Sequence, residues 1–353
     1  MNNKNGILDY SDQELEEWPH EIIQTSDLKE LDISSNQLDH ISENIQHLKK
    51  INYLDVSHNK ISKINHQTTR LINLETLLLN NNLINELPSD IGNLNKLNIL
   101  NISENRLSNL PKSLGQLNQL EELYLDYNSI SDMKALGNLP RLKKLNLAVN
   151  NIHECPDLPY NLVYLNLNQN KLTFFPKCIF NLNQLKILKI NRNHFSSISE
   201  DITQLVNLEV LDLAQIPLNL VPKSITSLPN LKQLSFHNCP ISAWPENFDG
   251  LSKLEILYLS NTNFSIIPDN FYKLDNLKKL SFSNANLHTI SKSLSNLNQL
   301  EYLDLSNNEL KEIPDFIFQL PKLKKLKLGE NPLNNIEHIK TKMKEAAIVL
   351  SFH

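Results

Sequence analysis

Apolar residues recur along this chain at fixed positions of an eleven-residue phrase. One copy of the phrase reads Leu28-x-x-Leu31-x-Ile33-x-x-Asn36-x-Leu38. The phrase returns fourteen times, mostly at a spacing of 23 residues. A single unit of this size cannot bury its own apolar side chains, so successive units have to stack on one another. The pattern therefore predicts a solenoid rather than a globular domain.

Each phrase predicts one short strand and one irregular return segment. Positions four to six alternate as Leu-x-Leu, which directs two leucines inward and the residue between them outward. The half that follows, as in Ile313-Pro314-x-x-Ile317-x-x-Leu320, is expected to return as extended or 3₁₀ segments. The predicted fold class is an α/β solenoid, a right-handed horseshoe or arc with a concave parallel sheet and an irregular, 3₁₀-containing convex side.

The phrase resembles the leucine-rich repeat, and the resemblance covers the chain from about Leu8 to Leu333. Its longer form, as in Leu87-Pro88-x-x-Ile91-x-x-Leu94, is similar to the intracellular Ras-suppressor-type subgroup that also occurs in many bacterial proteins. From 150 to 170 the spacing drops to 20, and that short form resembles the repeats of secreted bacterial effectors of the IpaH and YopM groups. The resemblance implies the fold; a stacked array of this kind presents an extended surface for holding a partner.

Both ends of a repeat array need a cover for the exposed terminal coil. The sequence predicts an N-terminal capping coil at 1–27, with Gln13 in the place of the asparagine, then fourteen repeats at 28–333. Residues 334–353 are predicted to form a C-terminal cap, with a helix followed by a strand at 348–352. Together these parts are expected to form one continuous domain.

Position nine of the phrase is usually asparagine, whose short side chain carries both a donor and an acceptor. A chain that turns inward there needs partners for buried backbone groups, so each asparagine is expected to bridge its own coil and the next. These residues form the predicted asparagine ladder: Asn36, Asn59, Asn82, Asn105, Asn128, Asn150, Asn170, Asn193, Asn308 and Asn331.

The ladder is interrupted in four consecutive coils, where position nine is Ile216, Cys239, Thr262 and Ala285. Position eight becomes asparagine over a similar stretch, at 238, 261, 284 and 307. One interpretation is drift in a tolerant repeat. The other is that the second asparagine row partly supplies the lost hydrogen bonds and changes the local surface.

Side chains at positions three, five, seven, eight and ten are expected to project from the concave sheet, and this surface is called the strand face below. Tyrosine and arginine, the types that most often anchor interfaces, occur there in the middle coils. The candidate protein-binding residues are Tyr124, Asp126, Tyr127, Val149, Tyr164, Lys189 and Arg192. The alternative, tyrosines scattered at strand positions that suit them, stays open at this point.

The net charge of −5 does not favour nucleic-acid binding. The N-terminus has no apolar signal-peptide core and the chain has no long apolar run, so neither a signal peptide nor a membrane span is expected. The three cysteines have no metal-binding spacing and are expected to be small buried side chains in a reducing compartment. The predicted location is therefore cytoplasmic.

No motif for catalysis, a metal or a cofactor is present in the sequence: there is no Gly-x-Gly-x-x-Gly, no His-Glu-x-x-His and no Cys-x-x-Cys. His58, His194 and His237 occupy separated coils and are interpreted as surface residues. The leading hypothesis is a non-catalytic scaffold, a monomer that binds an unidentified protein on its concave face. Weak self-association between the acidic N-terminal and lysine-rich C-terminal ends stays open. The alternative is a secreted bacterial effector that reaches a host cell by a non-classical route and binds a host protein through the same surface.

Overall fold

The computed structural model describes residues 6–246 and 249–351, and these form two compact units. The first unit comprises 6–172 together with 176–185, and the second comprises 173–175 together with 186–351. Phe352, the predicted end of the last strand, lies outside the described residues, as do the leading residues 1–5.

The first unit carries eight three-residue strands. Each pairs in parallel with the strand of the next coil, and the central leucines lie opposite each other, as Leu31 does with Leu54. The strands are β1 Ile7–Asp9, β2 Glu30–Asp32, β3 Tyr53–Asp55, β4 Thr76–Leu78, β5 Ile99–Asn101, β6 Glu122–Tyr124, β7 Lys144–Asn146 and β8 Tyr164–Asn166.

The second unit repeats this plan with eight further strands, again each in parallel with the next in sequence. They are β9 Ile187–Lys189, β10 Val210–Asp212, β11 Gln233–Ser235, β12 Ile256–Tyr258, β13 Lys279–Ser281, β14 Tyr302–Asp304, β15 Lys325–Lys327 and β16 Val349–Ser351. The predicted solenoid with a parallel sheet is confirmed within each unit.

The strands cover positions three to five of the phrase, one residue earlier than the predicted positions four to six. Pairing already begins at the carbonyl of position two, where Lys29 accepts from the backbone amides of Asn52 and Tyr53. The leucines at positions four and six are buried as predicted, for example Leu31 and Ile33, which are both 0 % exposed.

The return segments contain short 3₁₀ helices. In the first unit these are Glu43–His47, Thr68–Arg70, Ile91–Asn93, Lys112–Gln116, Lys134–Leu136 and Lys177–Asn181. In the second unit they are Glu200–Gln204, Lys223–Ser227, Asp249–Leu251, Asp269–Lys273, Lys292–Asn296 and Asp315–Ile317. Many begin after a proline, whose fixed φ suits a helix start; others follow a serine such as Ser291, whose hydroxyl accepts from the amide of Ser293 at 3.1 Å.

The described residues include two α-helices, one early and one late in the chain. Helix α1, His20–Gln24, follows the first strand, and Ile22 on this helix is fully buried. Helix α2, Ile336–Glu345, buries Ile339 and Met343 and leads into β16, which pairs with β15. The helix and strand expected after the last repeat are therefore present, while the division of the chain into a cap, repeats and a cap stays a prediction.

Candidate protein-binding face

The ladder asparagines tie neighbouring coils together through their side-chain amides. In Asn36, Oδ1 accepts from the amides of Leu15 (2.9 Å) and Gln13 (3.1 Å), while Nδ2 donates to the carbonyls of Tyr10 (2.8 Å) and Ile33 (3.0 Å). Bonds to both coils recur at Asn59, Asn82, Asn105, Asn128, Asn150, Asn170, Asn308 and Asn331. Asn193 donates to carbonyls of its own coil.

The direction of these bonds corrects the sequence-based expectation. Each bridge joins the coil of the asparagine to the preceding coil, as Asn36 does with Tyr10, whereas the next coil was expected. The turn at position nine places the side-chain amide within reach of one carbonyl of its own coil and one of the preceding coil. These bonds satisfy backbone groups that are buried from water.

Position eight has a different role from position nine, because its backbone is left-handed in every phrase. The φ angles there lie between +52° and +59°, from Ser35 to Glu330. Asparagine tolerates this conformation better than most residues because its short polar side chain makes local hydrogen bonds. Valine is β-branched, so Val149 at φ +55° is an outlier in a region that such residues avoid.

The second asparagine row does not replace the interrupted ladder. Asn238, Asn284 and Asn307 are exposed, and Asn284 Nδ2 donates to Asn261 Oδ1 at 2.6 Å on the outside of the coils. The left-handed backbone explains asparagine at position eight. The interpretation in which this row supplies the lost buried bonds is therefore wrong.

Other groups carry part of the interrupted ladder. Cys239 Sγ donates to the carbonyl of Leu213 at 3.1 Å, the carbonyl that a ladder asparagine would reach from the same place. Burial raises the pKa of this thiol to about 11, so it remains a neutral donor. Thr262 Oγ1 donates to the carbonyl of Leu259 at 2.6 Å. Ile216 and Ala285 have no polar side-chain atom to offer.

The interrupted coils also contain a cluster of aromatic side chains. Phe271 lies 5.5 Å from Trp244 and 5.7 Å from Phe282, measured between ring centroids. Phe236 and Phe264 extend the cluster at 6.0 Å and 6.3 Å from Trp244. Aromatic packing of this kind adds to the apolar burial of each ring, and it strengthens the coils where the ladder is incomplete.

On the strand face of the first unit, a lysine lies between two tyrosine rings. Lys144 Nζ is 4.9 Å from the ring centroid of Tyr124 and 5.8 Å from that of Tyr164. Glu122 Oε2 lies 3.7 Å from the same ammonium and accepts from the hydroxyl of Tyr124. Contact with the Tyr124 hydroxyl raises the pKa of Lys144, and burial raises the pKa of Tyr124. The structure thus brings together Tyr124 and Tyr164, two of the predicted residues, around a lysine that had not been selected.

Three further predicted residues lie on the same unit. Asp126 accepts from Asn146 Nδ2 at 2.7 Å, and burial raises the pKa of its carboxyl group. Tyr127, at the left-handed position, is 56 % exposed, and Val149 is half-buried. Tyr127 therefore presents a large aromatic surface that no packing within the coil covers.

Lys189 and Arg192 belong to the second unit. Lys189 is half-buried at the end of β9, and Arg192 is exposed at a left-handed position. Arg192 Nε donates to Gln215 Oε1 at 2.7 Å in the following coil. Its guanidinium is thereby held on the strand face of this unit.

The second unit holds another lysine between two tyrosines, which the sequence reasoning missed. Lys279 Nζ lies 5.1 Å from the ring centroid of Tyr258 and 5.0 Å from that of Tyr302. Tyr302 donates from its hydroxyl to Asp304 Oδ2 at 3.1 Å, and its pKa is raised to about 12, mainly by burial. The sequence does contain a pattern that could have predicted this cluster. Both clusters have a tyrosine at position five of one phrase, a lysine at position three of the next and a tyrosine at position three of the one after.

Two of the three cysteines are joined, which corrects the expectation of three separate buried thiols. Cys155 and Cys178 form a disulfide, with their Cα atoms 6.4 Å apart. Such a separation is within the range that a disulfide can span. The disulfide joins the return segment of the short coil, which contains Cys155, to that of the following coil, which contains Cys178. The spacing of the cysteines in the sequence does not predict this contact. Cys239 is the free, buried cysteine.

The three histidines noted in the sequence do not converge on a site. His58 Nε2 lies 3.4 Å from Asn80 Nδ2, while His194 is exposed and His237 is half-buried on coils of the second unit. Within 6–246 and 249–351, no group of three or more histidine, cysteine or acidic side chains could hold a metal ion. No helix in these ranges is long and apolar enough to span a bilayer.

Comparison with known protein families agrees with this architecture. A family model described as a leucine-rich repeat region matches residues 23–158 and 164–281. Two further leucine-rich repeat models match residues 264–310 and 298–341. No curated protein sequence matches the chain.

Solved structures give the same result. A leucine-rich repeat protein of Leptospira interrogans, LIC12759, is 32 % identical, with 98 % of this chain and 95 % of that one covered and a TM-score of 0.83. The plant peptide hormone receptor RGFR1, solved in complex with RGF2, is 29 % identical over 87 % of this chain, which spans about half (52 %) of the receptor chain, at a TM-score of 0.70. The internalin InlF of Listeria monocytogenes shares the fold at 21 % identity, 94 % and 87 % coverage and a TM-score of 0.69. The chain belongs to the leucine-rich repeat family.

Proposed function

We propose that this chain is a non-catalytic protein-interaction scaffold that binds a protein partner on its strand face. The observation that carries the proposal is the cluster of Tyr124, Lys144 and Tyr164, which presents two aromatic rings and an ammonium on three adjacent strands. Tyrosine side chains provide large contact areas at a small cost in conformational entropy. Strands held by backbone pairing on both sides need little ordering when a partner binds.

Similarity to other repeat proteins supports the same assignment. RGFR1, a plant peptide hormone receptor whose structure was solved in complex with RGF2, resembles this chain over 87 % of this chain and 52 % of the receptor chain. The assignment as a scaffold needs no cofactor and no metal. The partner is inferred to be a protein rather than a nucleic acid, because the chain carries a net charge of −5.

A capture experiment with matched variants tests this proposal. The tagged chain is compared with two double variants, Tyr124→Ala/Tyr164→Ala and Tyr160→Ala/Phe174→Ala. Tyr160 and Phe174 are 65 % and 83 % exposed, and neither lies at a strand-face position. We expect the first double variant to lose at least about 2 kcal/mol of binding energy if both tyrosines are hot spots. The second is expected to bind as the parent does. Equal retention of the partner by both variants would remove this cluster as the binding site.

A second candidate is a secreted bacterial protein that binds a host protein through the same surface. The Cys155–Cys178 disulfide favours it over the cytoplasmic location predicted from the sequence, because disulfides persist mainly in oxidising surroundings. The 32 % identity with the Leptospira protein is compatible with a bacterial source. Capture is carried out from bacterial and from host lysates. The source of the protein that the parent chain recovers, and that the Tyr124→Ala/Tyr164→Ala variant does not, separates the two candidates.

A further inference from the structure

The two clusters of the strand face have the same construction. In each, a tyrosine at position five is followed by a lysine and then a tyrosine, both at position three of the next two strands. The lysine ammonium lies 4.9 Å and 5.8 Å from the ring centroids in the first cluster, and 5.1 Å and 5.0 Å in the second. The first unit therefore serves as an internal reference for the second.

The clusters differ in what neutralises the lysine. In the first, Glu122 at position three of the first strand lies 3.7 Å from Lys144 and accepts from the hydroxyl of Tyr124. In the second, the same position holds Ile256, which is half-buried and apolar. Among residues 6–246 and 249–351, no carboxylate lies within 4.0 Å of the Lys279 ammonium.

Asp304, the acidic residue at position five of the Tyr302 strand, already accepts hydrogen bonds within the chain. Asp304 is buried and accepts from the hydroxyl of Tyr302 at 3.1 Å, and from the amide and hydroxyl of Ser306 at 3.1 Å and 2.6 Å. Lys279 is half-buried, so part of its hydration shell is replaced by ring faces. Cation–π attraction compensates for some of this loss, whereas an ionised carboxylate would add a charge-assisted hydrogen bond.

The charged side chains on the strands around Lys279 also favour an acidic partner group. At positions three and five of β12 to β15 the strand face carries the lysines Lys279, Lys325 and Lys327, against the single carboxylate of Asp304. At these two positions lysines therefore outnumber carboxylates and favour acidic groups, while Glu309 and Glu330 lie at positions ten and eight of the same face. A partner with complementary charge is an acidic protein segment.

We propose that Tyr258, Lys279 and Tyr302 bind a glutamate or aspartate side chain of a partner protein, in the place that Glu122 occupies in the first cluster. The proposal rests on the assignment of the chain as a protein-binding scaffold and names the chemistry of the partner. The carboxylate accepts from the Tyr258 hydroxyl, as Glu122 does from Tyr124, and pairs with the Lys279 ammonium. Neighbouring acidic residues of the same segment then lie over Lys325 and Lys327.

A labelled octa-glutamate peptide is the probe, with octa-glutamine as its uncharged counterpart, and binding is measured by fluorescence anisotropy at low salt. We expect saturable binding of octa-glutamate that Lys279→Met weakens at least tenfold. Ile256→Glu should weaken it similarly, because the new carboxylate fills the site from within the chain, as Glu122 does. The exposed Lys322→Met is the charge-matched control and should bind within twofold of the parent. If Ile256→Glu does not fold, judged by circular dichroism, Lys279→Met still decides the outcome.

Three results of the peptide assay would overturn the inference. They are the absence of saturable octa-glutamate binding, equal weakening by Lys322→Met and Lys279→Met, and equal binding of octa-glutamine. In any of these cases, a captured partner that still depends on Tyr124 and Tyr164 leaves the scaffold function standing. A concentration-dependent dimer that Lys279→Met abolishes in analytical ultracentrifugation would assign the site to a second copy of the chain and also overturn the inference.

Discussion

The side chain of Asn308 accepts from the backbone amide of Ala285, in addition to the amide that a ladder asparagine usually bonds. Asn308 Oδ1 accepts from the backbone amides of both Ala285 and Leu287, each at 3.0 Å. In an unbroken part of the ladder, Asn82 Oδ1 accepts from the amide of Ile61 at 2.9 Å. In that part of the ladder the backbone amide of the position-nine residue, Asn59, donates to the carbonyl of Asn81 in the next coil. A ladder asparagine therefore accepts from two backbone amides when the preceding coil has no asparagine at position nine. Asn36 does the same at the first repeat.

This difference predicts unequal costs for removing ladder residues. Asn308→Ala should lower the free energy of unfolding by about 1–3 kcal/mol more than Asn82→Ala does, because one additional buried amide loses its partner. Urea denaturation of both variants measures the difference. Hydrogen exchange should accelerate at the amides of Ala285 and Leu287 in particular. Equal midpoints and unchanged exchange at these two amides would show that other groups hold them.

The aromatic cluster should account for much of the stability of the interrupted coils. Phe271→Ala removes a fully buried ring between Trp244 and Phe282 and should cost about 3–5 kcal/mol. Phe174→Ala, at a ring that is 83 % exposed, should change stability by no more than about 0.5 kcal/mol. Chemical denaturation of the two variants beside the parent checks this pair. A small effect of Phe271→Ala would mean that the neighbouring coils collapse to fill the space.

The buried carboxyl of Asp55 predicts a stability that depends on pH. Burial raises its pKa above the ordinary 3.8, with the like charge of Asp32 adding to the shift. The folded chain thus binds this proton more tightly than the unfolded chain does, so the stabilising effect of protonation is present at low pH and is lost as the pH rises through the folded pKa. Asp55→Asn should therefore raise the free energy of unfolding at pH 7 and lose this advantage at or below about pH 3.8.

Asparagine fits that position, because Asn101 accepts from the amide of Ser103 at 3.0 Å much as Asp55 does from Ser57 at 2.8 Å. Asp39→Asn is the control, since contact with His40 lowers the pKa of that exposed carboxyl. It should give no such gain at neutral pH. Denaturation curves at several pH values measure both variants, and a neutral-pH loss in Asp55→Asn would indicate that the charge itself is stabilising.

The disulfide predicts both a thiol count and a stability difference. The denatured, unreduced chain should react with maleimide at Cys239 alone, and after reduction at all three cysteines. In the native chain Cys239 should react slowly, because it is buried and its pKa is raised to about 11. Reduction of the Cys155–Cys178 bridge should cost about 2–4 kcal/mol.

Cys155→Ser/Cys178→Ser is the matched control, and its stability should not respond to dithiothreitol. Three reactive thiols in the denatured, unreduced chain would mean that the purified protein lacks the bridge. The same result would support the reducing compartment that the cysteine pattern predicted.

The repeated phrase was sufficient to predict the coils, one strand in each coil and which asparagines form the ladder, but it placed each strand one residue late and the ladder bonds on the wrong neighbouring coil. Leu31 and Leu54 lie opposite each other because the spacing of 23 residues returns the chain to the same place in each coil. Such features depend on local side-chain alternation and on neighbours at one fixed separation, and both can be read from a repeat. The same reasoning identified Tyr124 and Tyr164 as outward residues.

Other features were decided only in three dimensions. The ladder bonds reach the preceding coil, and position eight is left-handed, because the turn geometry sets where the Asn36 amide points. Lys144 lies between two tyrosines because residues at positions three and five of neighbouring strands meet on one face. Cys155 and Cys178 meet because the short coil brings their return segments together. A repeat specifies which face each side chain occupies, but contacts between coils also depend on register, coil length and side-chain direction, which the tertiary structure alone determines.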